Sequence, residues 1–138
     1  AEAMFSLLAD HDGDVRTALK GVGRRYLELV ISDYGLLNYR LIMAEALRSP
    51  EIGRIFYETG PLNGARRLAD YLERIRRDGR LQFDDPLKAA HQFIGLCQGR
   101  LFKARLCNYI PEPTEAEIAA EVEAAVSTFL AAFGTENT

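Results

Sequence analysis

The sequence has no tryptophan, only two cysteines, two histidines and two methionines, and no surplus of positive charge. Each scarcity excludes a kind of chemistry. Cys97 and Cys107 stand ten residues apart in one predicted helix, about 15 Å along its axis, too far for a disulfide within that helix. There is no CxxC pair and no Cys/His cluster, so zinc has no ligand set. The two thiols read as reduced, as in a cytosolic protein. His11 and His91 have no catalytic company. No serine lies in a GxSxG turn, and no glycine loop has Walker or dinucleotide spacing. The stretch Asp10-His11-Asp12-Gly13-Asp14 resembles a calcium loop only locally. The bidentate glutamate such a loop requires falls at Gly21, so the stretch reads as a polar turn. The expectation is a non-enzymatic chain with no metal and no cofactor.

Long apolar runs are missing too. None reaches transmembrane length, and no signal peptide opens the chain, so the expected setting is cytoplasmic, without membrane contact. Lys and Arg number 17 against 20 Asp and Glu, for a net charge of -3. That balance weighs against this chain gripping a polyanion, whose affinity rests on basic phosphate contacts. What remains is ordinary globular composition, 48% hydrophobic and 27% charged, in a chain long enough to bury one core.

The breakers are Asp12-Gly13, Ser49-Pro50, Gly60-Pro61, Asp78-Gly79, Asp84-Asp85-Pro86 and Pro111-Glu112-Pro113. Between them apolar residues recur at helical spacing, and no sustained period of two occurs. The fold class expected is all-α, an antiparallel bundle of six to seven helices in one domain over residues 1–138. The first helix covers Ala1 to about Asp10 and starts without a capping residue, as though cut from a longer chain. The second runs from about Asp14, its N-cap, to Ser32, with a stripe of Val15, Leu19, Val22, Tyr26, Leu29 and Val30. The third, about Leu36 to Arg48, is apolar almost all round and is expected at the centre. A short helix follows over Pro50–Thr59, with Ser49 as cap, then one over Pro61–Asp78 stopped at Gly79. The latter turns Leu62, Ala65, Leu68, Leu72 and Ile75 inward, and its arginines form a solvated face. A long helix starts at Asp85-Pro86 and continues to about Asn108, some 33 Å. The last covers Thr114–Phe133, where Thr114 and Glu117 make a capping box.

The last two helices carry more apolar surface than one core-facing stripe needs. The final one has Ile118, Val122, Ala125, Phe129 and Phe133 beside Ala119, Val126 and Leu130. The long one has Leu87, Ala90, Ile94, Cys97 and Leu101 beside Phe93, Leu96 and Phe102, and contains Gly95 and Gly99. Two glycines four apart permit close approach of another helix, at a cost in helix propensity of about 1 kcal/mol each. That approach is either a crossing within the bundle or a subunit interface. His91, near the aromatic track, reads as a satisfied core residue or as a ligand contact.

The stretch Met43-Ala-Glu-Ala-Leu-Arg-Ser-Pro-Glu-Ile-Gly-Arg-Ile-Phe-Tyr-Glu-Thr-Gly-Pro61 resembles a signature of TetR-family C-terminal domains, of the AefR-like subgroup. Its skeleton is Ala44-Glu45, Arg48, Pro50-Glu51, Phe56-Tyr57 and Gly60-Pro61, continued by Leu68-Ala-Asp-Tyr-Leu72, Gly79-Arg-Leu81, Asp85-Pro86 and Gln92-Phe93-Ile-Gly95. The start, Ala1-Glu-Ala-Met-Phe-Ser-Leu-Leu8, resembles the segment after the recognition helix in that family. There a lysine usually precedes the glutamate, and here Ala1 does. The resemblance implies the effector-sensing and dimerising domain of a transcriptional repressor that releases DNA when a ligand binds. Operator DNA would be contacted only through an N-terminal helix-turn-helix absent from this chain.

The same resemblance implies a homodimer through the last two helices, which reads Gly95, Gly99, Leu101, Ile118, Val122, Ala125 and Phe129 as interface residues. It also implies a pocket among the earlier helices. Phe5, Tyr26, Val30, Leu41, Met43, Phe56, Tyr71, Phe93 and Cys97 are its expected apolar wall and His91 its polar handle, suited to a small apolar or aromatic effector. The competing reading is a stand-alone helical carrier of lipids or other apolar molecules.

Overall fold

The computed structural model describes Ser6, Leu8 and residues 13–138. The helix expected over residues 1–10, with Phe5, and also His11 lie outside the described residues. Among those described there are seven helices: α1 (Val15–Val30), α2 (Asp33–Ala46), α3 (Pro50–Thr59), α4 (Pro61–Arg77), α5 (Pro86–Gln98), α6 (Leu101–Leu106) and α7 (Glu115–Phe133). The all-helical bundle expected from periodicity is the fold observed.

Local chemistry sets most boundaries. The Asp14 carboxylate accepts from the Thr17 amide at 3.1 Å and from its hydroxyl at 2.7 Å, starting α1. Asp85 accepts from the Leu87 and Lys88 amides ahead of α5, where Pro86 has no N–H to lose. Thr114 and Glu117 exchange both bonds of the capping box, at 3.1 and 2.9 Å. Gly79, at φ 80°, closes α4. Its N–H donates to the Arg76 carbonyl, and that of Arg80 donates to Ile75, the paired bonds of a left-handed helix stop. Ser49 stands at the N-cap position of α3, but its side chain makes no capping bond there.

The core lies where α4 packs on α5, and where α1 and α5 pack on α7. Leu19, Tyr71, Leu72, Phe93, Val122 and Phe129 are closed off from solvent there. Each such side chain contributes about 1.5–3 kcal/mol by leaving water. Phe93 meets Phe129 edge-on at 5.3 Å, and Phe129 meets Phe133 at 5.0 Å. In α1, Leu27 takes the buried place expected of Leu29, which is half exposed.

Two expectations need correction. The helix expected at the centre, α2, buries only Leu36, and α3 buries no residue. The two pack on each other as an arm that α3 joins to α4, so an all-round apolar composition did not place α2 inside. The long penultimate helix is also broken. α5 ends at Gly99, with φ 46° and ψ -138°, and α6 restarts at Leu101. That positive φ favours glycine; a Cβ there would also displace the Glu121 side chain, whose carboxylate would stand 2.1 Å away. Apolar periodicity missed the break because α6 resumes within a few residues.

Candidate functional site

Where the α2–α3 arm meets the core, a set of apolar side chains is only partly covered. Tyr26 and Val30 of α1, Leu96 of α5 and Phe102 of α6 are half-buried against the core. Tyr39 of α2 meets Phe102 edge-on at 5.2 Å. The region also holds a polar pair. Gln98 Nε2 donates to the Tyr26 hydroxyl at 2.8 Å. Burial raises the Tyr26 pKa above the usual phenol value, so its hydroxyl stays neutral and keeps its hydrogen. Along the arm, Leu37, Leu41, Met43, Ile52, Ile55 and Tyr57 are exposed. That is a large apolar display for a surface.

The expected pocket residues separate into groups. Tyr26, Val30 and Phe56 are half-buried. Tyr71, Phe93 and Cys97 are 0–1% exposed and fill the core itself. Arg74 lies over the Tyr71 ring at 5.9 Å, and burial pushes the Cys97 thiol up to about 12. Leu41 and Met43 are 58% and 43% exposed on the arm and line no closed wall. His91 is corrected outright. It is exposed, and helical spacing puts it on the side of α5 away from Phe93 and Cys97. The polar pair beside the half-buried apolar residues is Gln98 with Tyr26. The sequence carried a signal for it, since Gln98 is a polar residue four positions after Ile94 on an apolar track.

The expected interface residues separate as well. Leu101, Ile118, Val122, Ala125 and Phe129 are buried within the single chain, so they cannot form a surface for a partner. The outer faces hold the exposed residues instead. Gly95 is exposed with nothing within 4 Å of its would-be Cβ, and Gly99 is exposed beside Glu121. On α7 the exposed side carries Ala120, Ala124 and Ala131. The close crossing inside the bundle belongs to Gly23. A Cβ there would meet Val122 at 2.8 Å, Cys97 at 3.1 Å and Phe93 at 3.5 Å.

A second, polar feature ties the arm to α6. Arg105 is 9% exposed, and its Nη2 donates to the Asp33 carboxylate at 3.0 Å. In return, Arg40 Nη2 donates to the carbonyls of Leu106 at 2.8 Å and Arg105 at 3.3 Å. A cation is favoured at these last carbonyls of a helix. Elsewhere, Glu123 of α7 pairs with Lys20 at 2.6 Å and Arg16 at 3.2 Å on α1. These cations hold the Glu123 carboxyl below the usual range, Lys20 foremost. Among the described residues no group of three His, Cys, Asp or Glu side chains gathers to hold a metal, and no helix is long and apolar enough to cross a membrane.

The described residues form a helical bundle with an apolar arm, and comparison with known proteins gives the family. Residues 17–135 match the model of the AefR-like transcriptional repressor, C-terminal domain. The chain belongs to the TetR family of transcriptional regulators. The flavonoid-responsive regulator FrrA is 32% identical with a TM-score of 0.81, covering 98% of this chain and 73% of FrrA. A Mesorhizobium loti protein assigned to the TetR-family regulators is 26% identical with a TM-score of 0.88, covering 97% of this chain and 66% of its own. A TetR transcriptional regulator from Agrobacterium tumefaciens is 30% identical with a TM-score of 0.72, covering 96% and 60%. The chain thus spans about two thirds of the length of these relatives. No match was found among curated proteins.

Proposed function

We propose that this domain senses a small, largely apolar or aromatic effector lodged under the α2–α3 arm, with the Tyr26–Gln98 pair as its polar handle. The observation that carries this reading is the arm. It buries only Leu36 of its own residues while exposing Leu37, Leu41, Met43, Ile52, Ile55 and Tyr57. A ligand that brings part of this surface out of water gains about 25 cal/mol for each Å² covered. A neutral phenol and an amide can satisfy a hydroxyl or carbonyl group but offer no charge to balance a multiply anionic metabolite. A flavonoid, the class in the name of the similar regulator FrrA, has this polyphenolic, aromatic character. Membership in a family of transcriptional regulators leaves the carrier reading without a supporting observation.

The dimer, in this reading, forms through the outer faces of α5 and α7, where Gly95, Gly99, Ala120, Ala124 and Ala131 allow close helix approach. Operator DNA is bound by a helix-turn-helix outside this chain. An effector that prefers one arm position and an operator that prefers the other are negatively coupled, each weakening the other by the same factor.

A thermal-shift screen tests the effector. Flavonoids and other aromatic compounds should raise the melting temperature, by about 2.7 kcal/mol of stabilisation at a hundredfold excess over Kd. Tyr26→Phe and Gln98→Leu should weaken the response, and Arg76→Ala, on the solvated face of α4, should not. A screen in which only nucleotides or sugar phosphates stabilise the domain rejects the proposal.

A further inference from the structure

The Arg105–Asp33 pair is an unequal one. Arg105 is nine-tenths buried, whereas the Asp33 side chain is 92% exposed. A guanidinium has five N–H donors. Here Nη2 is used by Asp33, and Nε, itself shut off from solvent, has no acceptor among the described residues. A buried charge is normally paired and its donors satisfied, and one solvent-exposed carboxylate does little of that. Beside this guanidinium opens a cleft of about 520 Å³, lined by Asp33, Leu36, Arg40, Arg105, Leu106 and Cys107, with Asn108 at its edge. Its charged groups are two arginines against one carboxylate. The half-buried Leu106 supplies apolar wall, with the buried Leu36 behind it.

We infer that this cleft is a binding site for a small organic monocarboxylate, and that Asp33 occupies the carboxylate position when the site is empty. The incoming carboxylate takes the Nε–Nη2 edge of Arg105 in the bidentate geometry that guanidinium favours, satisfying the orphaned Nε and displacing Asp33 into water. The Arg40 cation, held at the α6 carbonyls, adds a second positive charge, and the ligand's apolar body lies on Leu106. The chemistry selects an aromatic or short aliphatic acid over its neutral amide. None of these lining residues belongs to the Tyr26–Gln98 region, so this inference and the proposed effector site stand or fall separately.

Benzoate and benzamide, equal in shape and different in charge, are the probes. Titration is followed by calorimetry and by the NMR resonance of the Arg105 Nε–H. Benzoate should bind saturably and move that resonance, with benzamide at least about tenfold weaker. Asp33→Asn removes the competing carboxylate and should tighten benzoate by about fivefold, the effect of one like charge at ~4 Å in water. Arg105→Met should abolish binding and Arg40→Gln should weaken it, while Arg76→Ala leaves it unchanged. If Arg105→Met fails to fold, the Nε–H shift and the Asp33→Asn response decide. Equal binding of benzamide, an unmoved Arg105 Nε–H, or weaker binding in Asp33→Asn would each overturn the inference. The last result would make Asp33 part of a structural latch.

Discussion

Gly23 and Val122 meet where α1 crosses α7, with no room for a methyl group between them: a Cβ on Gly23 would lie 2.8 Å from Val122 Cγ1. Elsewhere in a helix, Gly→Ala gains about 1 kcal/mol of propensity. At this crossing overpacking costs about 1–3 kcal/mol, and both Val122 and Cys97 are fully buried and unable to yield freely. Gly23→Ala is therefore expected to lower stability by about 1 kcal/mol in urea titration. Val122→Ala opens space at the same point, so the double variant should be more stable than the sum of the two predicts, by more than about 0.5 kcal/mol. Strict additivity would show that Gly23 does not set this crossing.

The buried face of α7 and the exposed faces of α5 and α7 should respond oppositely to substitution. Val122→Glu and Phe129→Glu place a charge in the protomer's own core, a loss of several kcal/mol, and should unfold the chain in circular dichroism. Gly95→Arg and Ala124→Arg alter exposed positions and should leave the helical signal intact. If the proposed interface is right, light scattering shows the unmodified chain as a dimer and these two variants as monomers. A dimer that survives both would move the interface elsewhere.

The two cysteines should differ in reactivity. Cys97 is 0% exposed, and burial pushes its thiol up to about 12, so almost no thiolate exists near neutrality. Cys107 is exposed. A thiol-specific reagent at pH 8 should modify Cys107 in the native protein and reach Cys97 only as the fold opens. Peptide mapping that finds Cys97 labelled first would contradict the packing of α5.

Asp14 makes stability depend on pH at the acid end. Its hydrogen bonds from the Thr17 hydroxyl and amide hold the carboxyl below the usual value of 3.8. A folded pKa below the unfolded one gives stability that is complete above 3.8 and is lost as pH falls through the folded value. Asp14→Ala should cost about 1 kcal/mol at pH 7, and the gap between the two proteins should close under strongly acid conditions. A gap that persists undiminished at low pH would mean that the carboxylate form is not what caps α1.

The local elements were largely readable in the sequence. Capping at Asp14, Asp85 and Thr114, the prolines at positions 50, 61 and 86, and the stop at Gly79 are decided by bonds within a few residues. Such signals do not depend on where the helix finally lies. Part of the family skeleton, Pro50, Gly60-Pro61, Gly79 and Asp85-Pro86, sits at these same turns.

Tertiary structure alone decided which apolar face turned inward and which stayed bare. Val122 and Phe129 look no different in sequence from interface residues, and α2 looks like a core helix. Periodicity reports that a face is apolar but not what covers it. The pairing of Tyr26 with Gln98 and of Asp33 with Arg105 each joins residues 72 positions apart. Contacts of that span follow from how the helices pack, which no local pattern along this chain encodes.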